Sequence, residues 1–131
     1  MTWTVTSLKK AFSDNITHDY TVVKHQDIIT ITLKQYGDLN LHLSLTSKQI
    51  LIETVICPVR NICDVNELNY RLLRLQKILP LSSVGISVIN HQDYYIAFGA
   101  LSLSSSFDDI LLEIETLANN ALELAEMISE A

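Results

Sequence analysis

From Phe107 to Ala131 the chain repeats apolar residues at helical spacing, and no side chain in this stretch is positive. At about 100° per residue, Phe107, Ile110, Leu111, Ile114, Leu117, Ala118, Ala121, Leu122, Ala125 and Ile128 fall on one side. Asp108, Asp109, Glu113, Glu115, Glu123, Glu126 and Glu130 are expected on the other. A helix without internal cations gains nothing from i,i+4 ion pairs and loses tenths of a kcal/mol, roughly, to like-charge neighbours. Only packing of the apolar stripe can hold it. The rest of the chain must therefore supply an apolar surface, and the carboxylates are left to water or to a cationic partner.

The preceding residues read as that surface. Leu39, Leu41, Leu43 and Leu45 alternate with Asn40, His42 and Ser44, the period of a strand with one dry and one wet face. Ile29, Ile31 and Leu33 alternate with Thr30, Thr32 and Lys34, and Tyr20–Lys24 is rich in β-branched residues. Ile50–Cys57 is apolar on both faces, as a central strand is. The links between these segments are short, which favours antiparallel hairpins. Val84–Ile89 and Tyr94–Leu101 are two further strands, joined by a four-residue loop at Asn90–Asp93.

Two more helices are expected. One runs from Thr6 to Asn15 with Leu8, Ala11 and Phe12 inward, and Thr4 and Thr6 are both candidate caps. The other begins at Asp64, with Glu67 at capping-box spacing. It buries Val65, Leu68, Leu72, Leu75 and Leu79 and is closed by Pro80. Ser104–Ser106 caps the final helix, and Asp108 and Asp109 in its first turn suit the macrodipole. The order α-β-β-β-β-α-β-β-α predicts an α+β fold with an antiparallel sheet, as a single domain over residues 1–131.

Charge is split along the chain. All nine Lys and Arg lie at or before Lys77, and eight of the fifteen Asp and Glu follow it. A net charge of −6 argues against nucleic acid, whose affinity rests on phosphate neutralisation. It also argues against an anionic membrane surface, unless the basic first half is presented separately. No apolar run reaches the roughly 18 residues of a membrane span. Met1–Lys10 lacks the basic-then-apolar order of a signal peptide. Cys57 and Cys63 flank Pro58 and form no Cys-x-x-Cys, so reduced, half-buried thiols and a cytoplasmic location are expected.

The inventory is poor in catalytic patterns. His18, His25, His42 and His91 pair with no His or Cys at ligand spacing, so no metal site is expected. Ser102, Ser104, Ser105 and Ser106 read as loop and capping residues. Gly37, Gly85 and Gly99 are too far apart to cradle phosphate. Gly85 and Gly99 sit inside strand patterns, where a bulge or a close helix approach explains them, or room for a bound segment. Cys57 has no neighbouring cation to make it a nucleophile. Neither catalytic nor cofactor-binding residues are expected.

Binding features are richer. Arg71, Arg74 and Lys77 lie opposite the second helix's leucine stripe, with Tyr70 beside Arg74. This is either a solvated face with Tyr under Arg, or a contact surface for an acidic partner such as the last helix of the same or another subunit. Leu112 and Met127 project from the acidic side of the last helix. Such residues are either ordinary exposed side chains or lie beneath a partner, where each contributes ~1.5–3 kcal/mol. Tyr94 and Tyr95 point to opposite sides of their strand.

The blocks LRLQKILPLSSVGISVINHQDYYIAFGALSL (73–103) and FDDILLEIETLANN (107–120), with the strand Gln49–Glu53, resemble the bacterial YjfI-like family over nearly the whole chain. The resemblance implies a small soluble protein whose gene neighbours a phage-shock-protein-A-like coiled-coil protein, in an envelope-stress or membrane-remodelling setting. It implies no catalytic residue. The element order, low pI and acidic last helix are also similar to type III secretion chaperones, which bind extended client segments and dimerise. The resulting expectation is a non-enzymatic, cytoplasmic, chaperone-like adaptor. It would act as a homodimer, contacting a partner such as a phage-shock-protein-A-like coiled coil through Tyr70, Arg74, Leu112, Glu115 and Met127. Two alternatives stand beside it: a small-ligand binder or enzyme with a pocket under Tyr94, Tyr95 and Glu53, and a structural subunit of a larger assembly.

Overall fold

In antiparallel order, β1 (Tyr20–His25), β2 (Ile28–Leu33), β3 (Leu39–Leu45) and β4 (Gln49–Pro58) form a meander that β6 (Gln92–Ser102) and β5 (Ser83–Ile89) complete. The sheet reads β1-β2-β3-β4-β6-β5 across its width. The computed structural model describes residues 2–15 and 19–130. Helix α1 (Val5–Asp14) precedes the sheet, α2 (Val65–Leu75) connects β4 to β5, and α3 (Phe107–Ser129) follows β6. The α+β order expected from the sequence is the order observed. His18 lies outside the described residues.

The period-2 pattern puts Leu41, Leu43, Ile50, Ile52, Tyr95 and Ala97 on one sheet face, each no more than 1% exposed. Helices α1, α2 and α3 all cover that face. The other face is open and carries a polar ladder. Thr30 Oγ1 hydrogen-bonds with His42 Nδ1 at 3.0 Å, and Thr32 Oγ1 donates to Asn40 Oδ1 at 2.7 Å. β4 runs through to Pro58, where a bulge between Val55 and Cys57 absorbs the register change.

Caps set the helix starts. Thr4, not Thr6, caps α1: its Oγ1 accepts from Ser7 N at 3.0 Å, and Thr4 N donates to Ser7 Oγ at 2.9 Å. Asp64 Oδ1 accepts from Glu67 N, and Ser106 Oγ from Asp109 N. Trp3 fastens α1 to the start of α3. Its N donates to Leu103 O at 2.9 Å, its Nε1 to Ser105 O at 2.7 Å, and its ring lies 6.2 Å from Phe107. Phe12 packs edge-on against Phe107 and Tyr20.

Two expectations are corrected. The β5–β6 hairpin turns on Asn90 and His91 alone, both at positive φ (51° and 65°), so Ile89 and Gln92 already pair. This is the two-residue turn whose twist matches the strands. The buried face of α3 is also rotated. Ile110, Ile114, Leu117, Ala121, Leu124 and Ile128 form the seam, at spacings alternating four and three. Leu122 is instead 44% exposed, while Glu113, expected in water, is 5% exposed.

Gly99 lies against the buried Glu113. A Cβ there would sit 2.9 Å from Glu113 Oε1 and 3.2 Å from Leu81 O. The missing side chain leaves room for the Glu113 carboxyl beside β6 and the Pro80–Ser82 loop. Asn120 binds the same loop: its Nδ2 donates to Pro80 O and Ser82 Oγ, both at 2.9 Å. Those bonds straddle Leu81, which is held at φ 61°. Among the described residues no hydrogen bond or cation meets Glu113, and burial raises its carboxyl above the usual range.

Two outcomes follow. Leu117→Ala should cost ~2–5 kcal/mol in urea unfolding, whereas Leu112→Ala on the solvent side of the same helix should stay within ~0.5 kcal/mol. A carboxyl raised in the fold favours folding below its unfolded pKa and loses that advantage as pH rises through its folded value. Glu113→Gln should therefore match wild type near pH 4 and exceed it at neutral pH, as read from urea midpoints at both. A gap that did not widen with pH would contradict the assignment.

Candidate functional site

The five residues singled out as contacts divide into two groups. Tyr70, Arg74 and Met127 share one groove between α2 and α3, about 420 Å³, with Arg71, Leu75 and Ile78. The amphipathic period of α2 turns Leu68 and Leu72 into the core, which leaves Tyr70 and Arg74 outward. The Arg74 guanidinium stands 5.5 Å from the Tyr70 ring centroid, a cation–π contact. Met127 reaches the groove from the last turns of α3 and is half-buried. Leu112 and Glu115 are exposed nearer the N-terminal end of α3, with Glu115 about 18 Å along the axis from Met127. Glu115 borders a different hollow, lined by Phe12, Tyr20, Ile31 and Tyr36 among others.

The basic α2 and the acidic α3 are thus neighbours across a groove, and no ion pair crosses it. Among the described residues the one salt bridge is Lys10–Asp14 at 2.7 Å, on α1. Arg71, Arg74 and Lys77 on α2 and the turn after it, and Glu115, Glu123, Glu126 and Glu130 along α3, are all exposed. Exposed pairs are worth little, and leaving them unmade costs the fold almost nothing.

Tyr94, Tyr95 and Glu53 do not line one pocket, because the alternation of the strands puts Tyr95 on the face opposite Tyr94 and Glu53. Tyr95 is in the core, with its hydroxyl donating to Asn69 Oδ1. Tyr94 and Glu53 lie on the open face. Burial raises the Tyr95 phenol above its ordinary value, with a smaller push from Cys57, and burial raises the Cys57 thiol as well. A raised thiol is a weaker nucleophile at neutral pH. Cys57 is half-buried, Cys63 is exposed, and the two are not bonded to each other. Beside Tyr95, between α2 and β5, lies a hollow of about 250 Å³ whose lining residues include Asn69, Leu72, Leu73, Val84 and Ile86, none of them charged.

Sequence reasoning missed the most exposed apolar surface. Leu73 and Ile86 border one hollow between α2 and β5, Val88 is exposed further along β5, and Ile78 and Leu81 are exposed between the two elements in sequence. Grouped exposure of this kind marks contact surfaces more than scattered exposure does. One signal was available: Ser83–Ile89 contains neither a charge nor a proline. That β5 lies at a sheet edge depends on strand order, which no local pattern reveals.

No helix of the described residues is long and apolar enough to cross a membrane. Among known proteins, the chain is 48% identical over 130 residues to YjfI, an uncharacterized protein of Escherichia coli (strain K12), covering 99% of this chain and 98% of YjfI. The same figures hold for YjfI of Escherichia coli O157:H7. In fold it is similar to the crystal structure of YbjN from E. coli, a proposed transcription regulator, with a TM-score of 0.65 at 10% identity. That match covers 87% of this chain and 86% of YbjN. Residues 2–131 match the model of a family described as "Uncharacterized protein conserved in bacteria (DUF2170)". With that match and the 48% identity to YjfI, the chain belongs to this family of YjfI-like bacterial proteins.

Proposed function

We propose that the protein is a non-enzymatic, cytoplasmic adaptor that binds another polypeptide through the outward side of its helical layer and acts as a homodimer. The observation that carries the reading is the pair of charge arrays, free of salt bridges among the described residues, beside exposed apolar side chains. Glu115, Glu123 and Glu126 flank Leu112 and Leu122 on α3, while Arg71 and Arg74 flank Tyr70 on α2. Apolar residues ringed by charge of one sign give affinity from burial, and rate and register from electrostatics. The acidic face of α3 suits a cationic helix, and the family resemblance nominates a phage-shock-protein-A-like coiled coil. YbjN's description as a transcription regulator concerns that protein; here the charge excess after Lys77 opposes DNA phosphate.

The test uses purified full-length chain and a phage-shock-protein-A-like partner in a binding titration. Glu115→Lys with Glu123→Lys should weaken capture by about tenfold or more, corresponding to ~1.4 kcal/mol. Raising salt should weaken the wild-type complex in the same direction. Undiminished binding by the charge-reversed chain, at low salt, would count against the acidic face as the contact.

A further inference from the structure

The edge strand β5 is built differently from the opposite edge. On β1, Lys24 is exposed, and a charged side chain of this kind discourages pairing with another sheet. β5 has no charged residue and no proline, and its Ile86 and Val88 are 47% and 70% exposed. Beside it on α2, Leu73 is 72% exposed.

The backbone defines what is free. Ile89 pairs with Gln92 across the two-residue turn, so by alternation Ser87 bonds inward to β6 while Val84, Ile86 and Val88 turn their N–H and C=O outward. The Gln76 side chain occupies both groups of Val84: its Nε2 donates to Val84 O, and its Oε1 accepts from Val84 N at 3.0 Å. Among the described residues nothing bonds the outward groups of Ile86 and Val88. The open edge is therefore short, bounded by Gln76 at one end and the Asn90–His91 turn at the other.

We infer that β5 pairs antiparallel with β5 of a second copy, about a two-fold axis through Ser87. This deepens the dimer reading above by naming its surface. With the Val84 groups taken and the turn beginning at Asn90, one register uses every free group. Ile86 bonds with Val88 of the second copy and Val88 with its Ile86, four backbone hydrogen bonds in all. Beyond them, Gln76 of each copy meets the turn of the other. The two sheets become continuous, with both helical layers on the same side. Ile86, Val88 and Leu73 of each copy then come together in an uncharged seam.

Charge selects the second copy as occupant. The residues lining the hollow beside β5 are all neutral, while Arg71 and Arg74 line the groove on the α3 side of α2. A neutral apolar strip meets an identical strip without burying an unpaired charge, whereas a charged client strand would leave charges there without partners. The β5 edge is also separate from the acidic face of α3, so dimer formation leaves that face open.

Light scattering on eluting full-length chain, at loadings up to about 100 µM, gives the oligomeric state. Wild type should run as a dimer, and Ile86→Lys with Val88→Lys as a monomer with unchanged far-UV circular dichroism. In a chain with Cys57→Ser and Cys63→Ser, Ser87→Cys should form a disulfide dimer under mild oxidation. Opposed residues of a non-hydrogen-bonded pair have Cα atoms about 4.5 Å apart, within disulfide reach. Ser47→Cys in the β3–β4 turn should not cross-link. A wild-type dimer that survives the lysine substitutions, with Ser87→Cys uncrosslinked, overturns the β5 geometry and leaves the dimer reading standing. A wild-type monomer overturns both. Partner capture by α3, measured on the lysine variant, reports on the adaptor reading alone.

Discussion

The seam between α3 and the sheet carries this fold. With no cation of its own, α3 has no intrahelical ion pairs to offset the repulsion among its carboxylates. It persists because Ile110, Ile114, Leu117, Ala121, Leu124 and Ile128 lie against the leucine and isoleucine face of β3, β4 and β6. The other elements reinforce that contact. Trp3 ties the start of the chain to the loop before α3, the Phe12–Phe107 pair closes one end, and Asn120 holds the Pro80–Ser82 loop against the middle. Gly99 and Glu113 show how close the approach is: a Cβ on the strand would crowd the carboxyl on the helix, which is itself partly withdrawn from water.

Packing all helices on one face divides the surface by character. On the β2–β3 part of the open sheet face, short polar side chains hydrogen-bond with each other, and Val23 and Val55 are exposed elsewhere on that face. The outward helical face holds two charge arrays of opposite sign, on α2 and α3, with no salt bridge between them among the described residues. The β5 margin is neutral and apolar. Each favours a different contact: charge arrays attract charged helices at long range, and a neutral strand edge rewards only close, directional pairing.

Much of the framework was legible because it rests on local periodicity. The alternating leucines of β3, the two-faced apolar run of β4 and the caps at Asp64 and Ser106 each follow from neighbours in sequence. Tyr70 and Arg74 were placed correctly on the outer face of α2 by helical period alone. The period of α3 was legible too, but its phase was not. Leu122 and Glu113 exchanged sides, because a 100° wheel with so many apolar positions has several near-equal faces. The choice among them depended on contacts with other elements, the close approach at Gly99 among them. Tyr94, Tyr95 and Glu53 do not share a pocket for a related reason: they are sequence neighbours or share a ladder, yet the pleat leaves only Tyr95 beside the hollow between α2 and β5.

By itself, the sequence determined the kinds of elements, their order, the antiparallel pairing implied by short links and the sign of charge on each helix. These depend on residues within a turn or a strand of one another. Only the tertiary structure decided that β5 is an edge, that Gln76 blocks one residue of it and leaves the next two open, and that α2 and α3 lie side by side without ion pairs. Those facts depend on strand order and on which residues, distant in the chain, compete for the same surface, so no local window contains them.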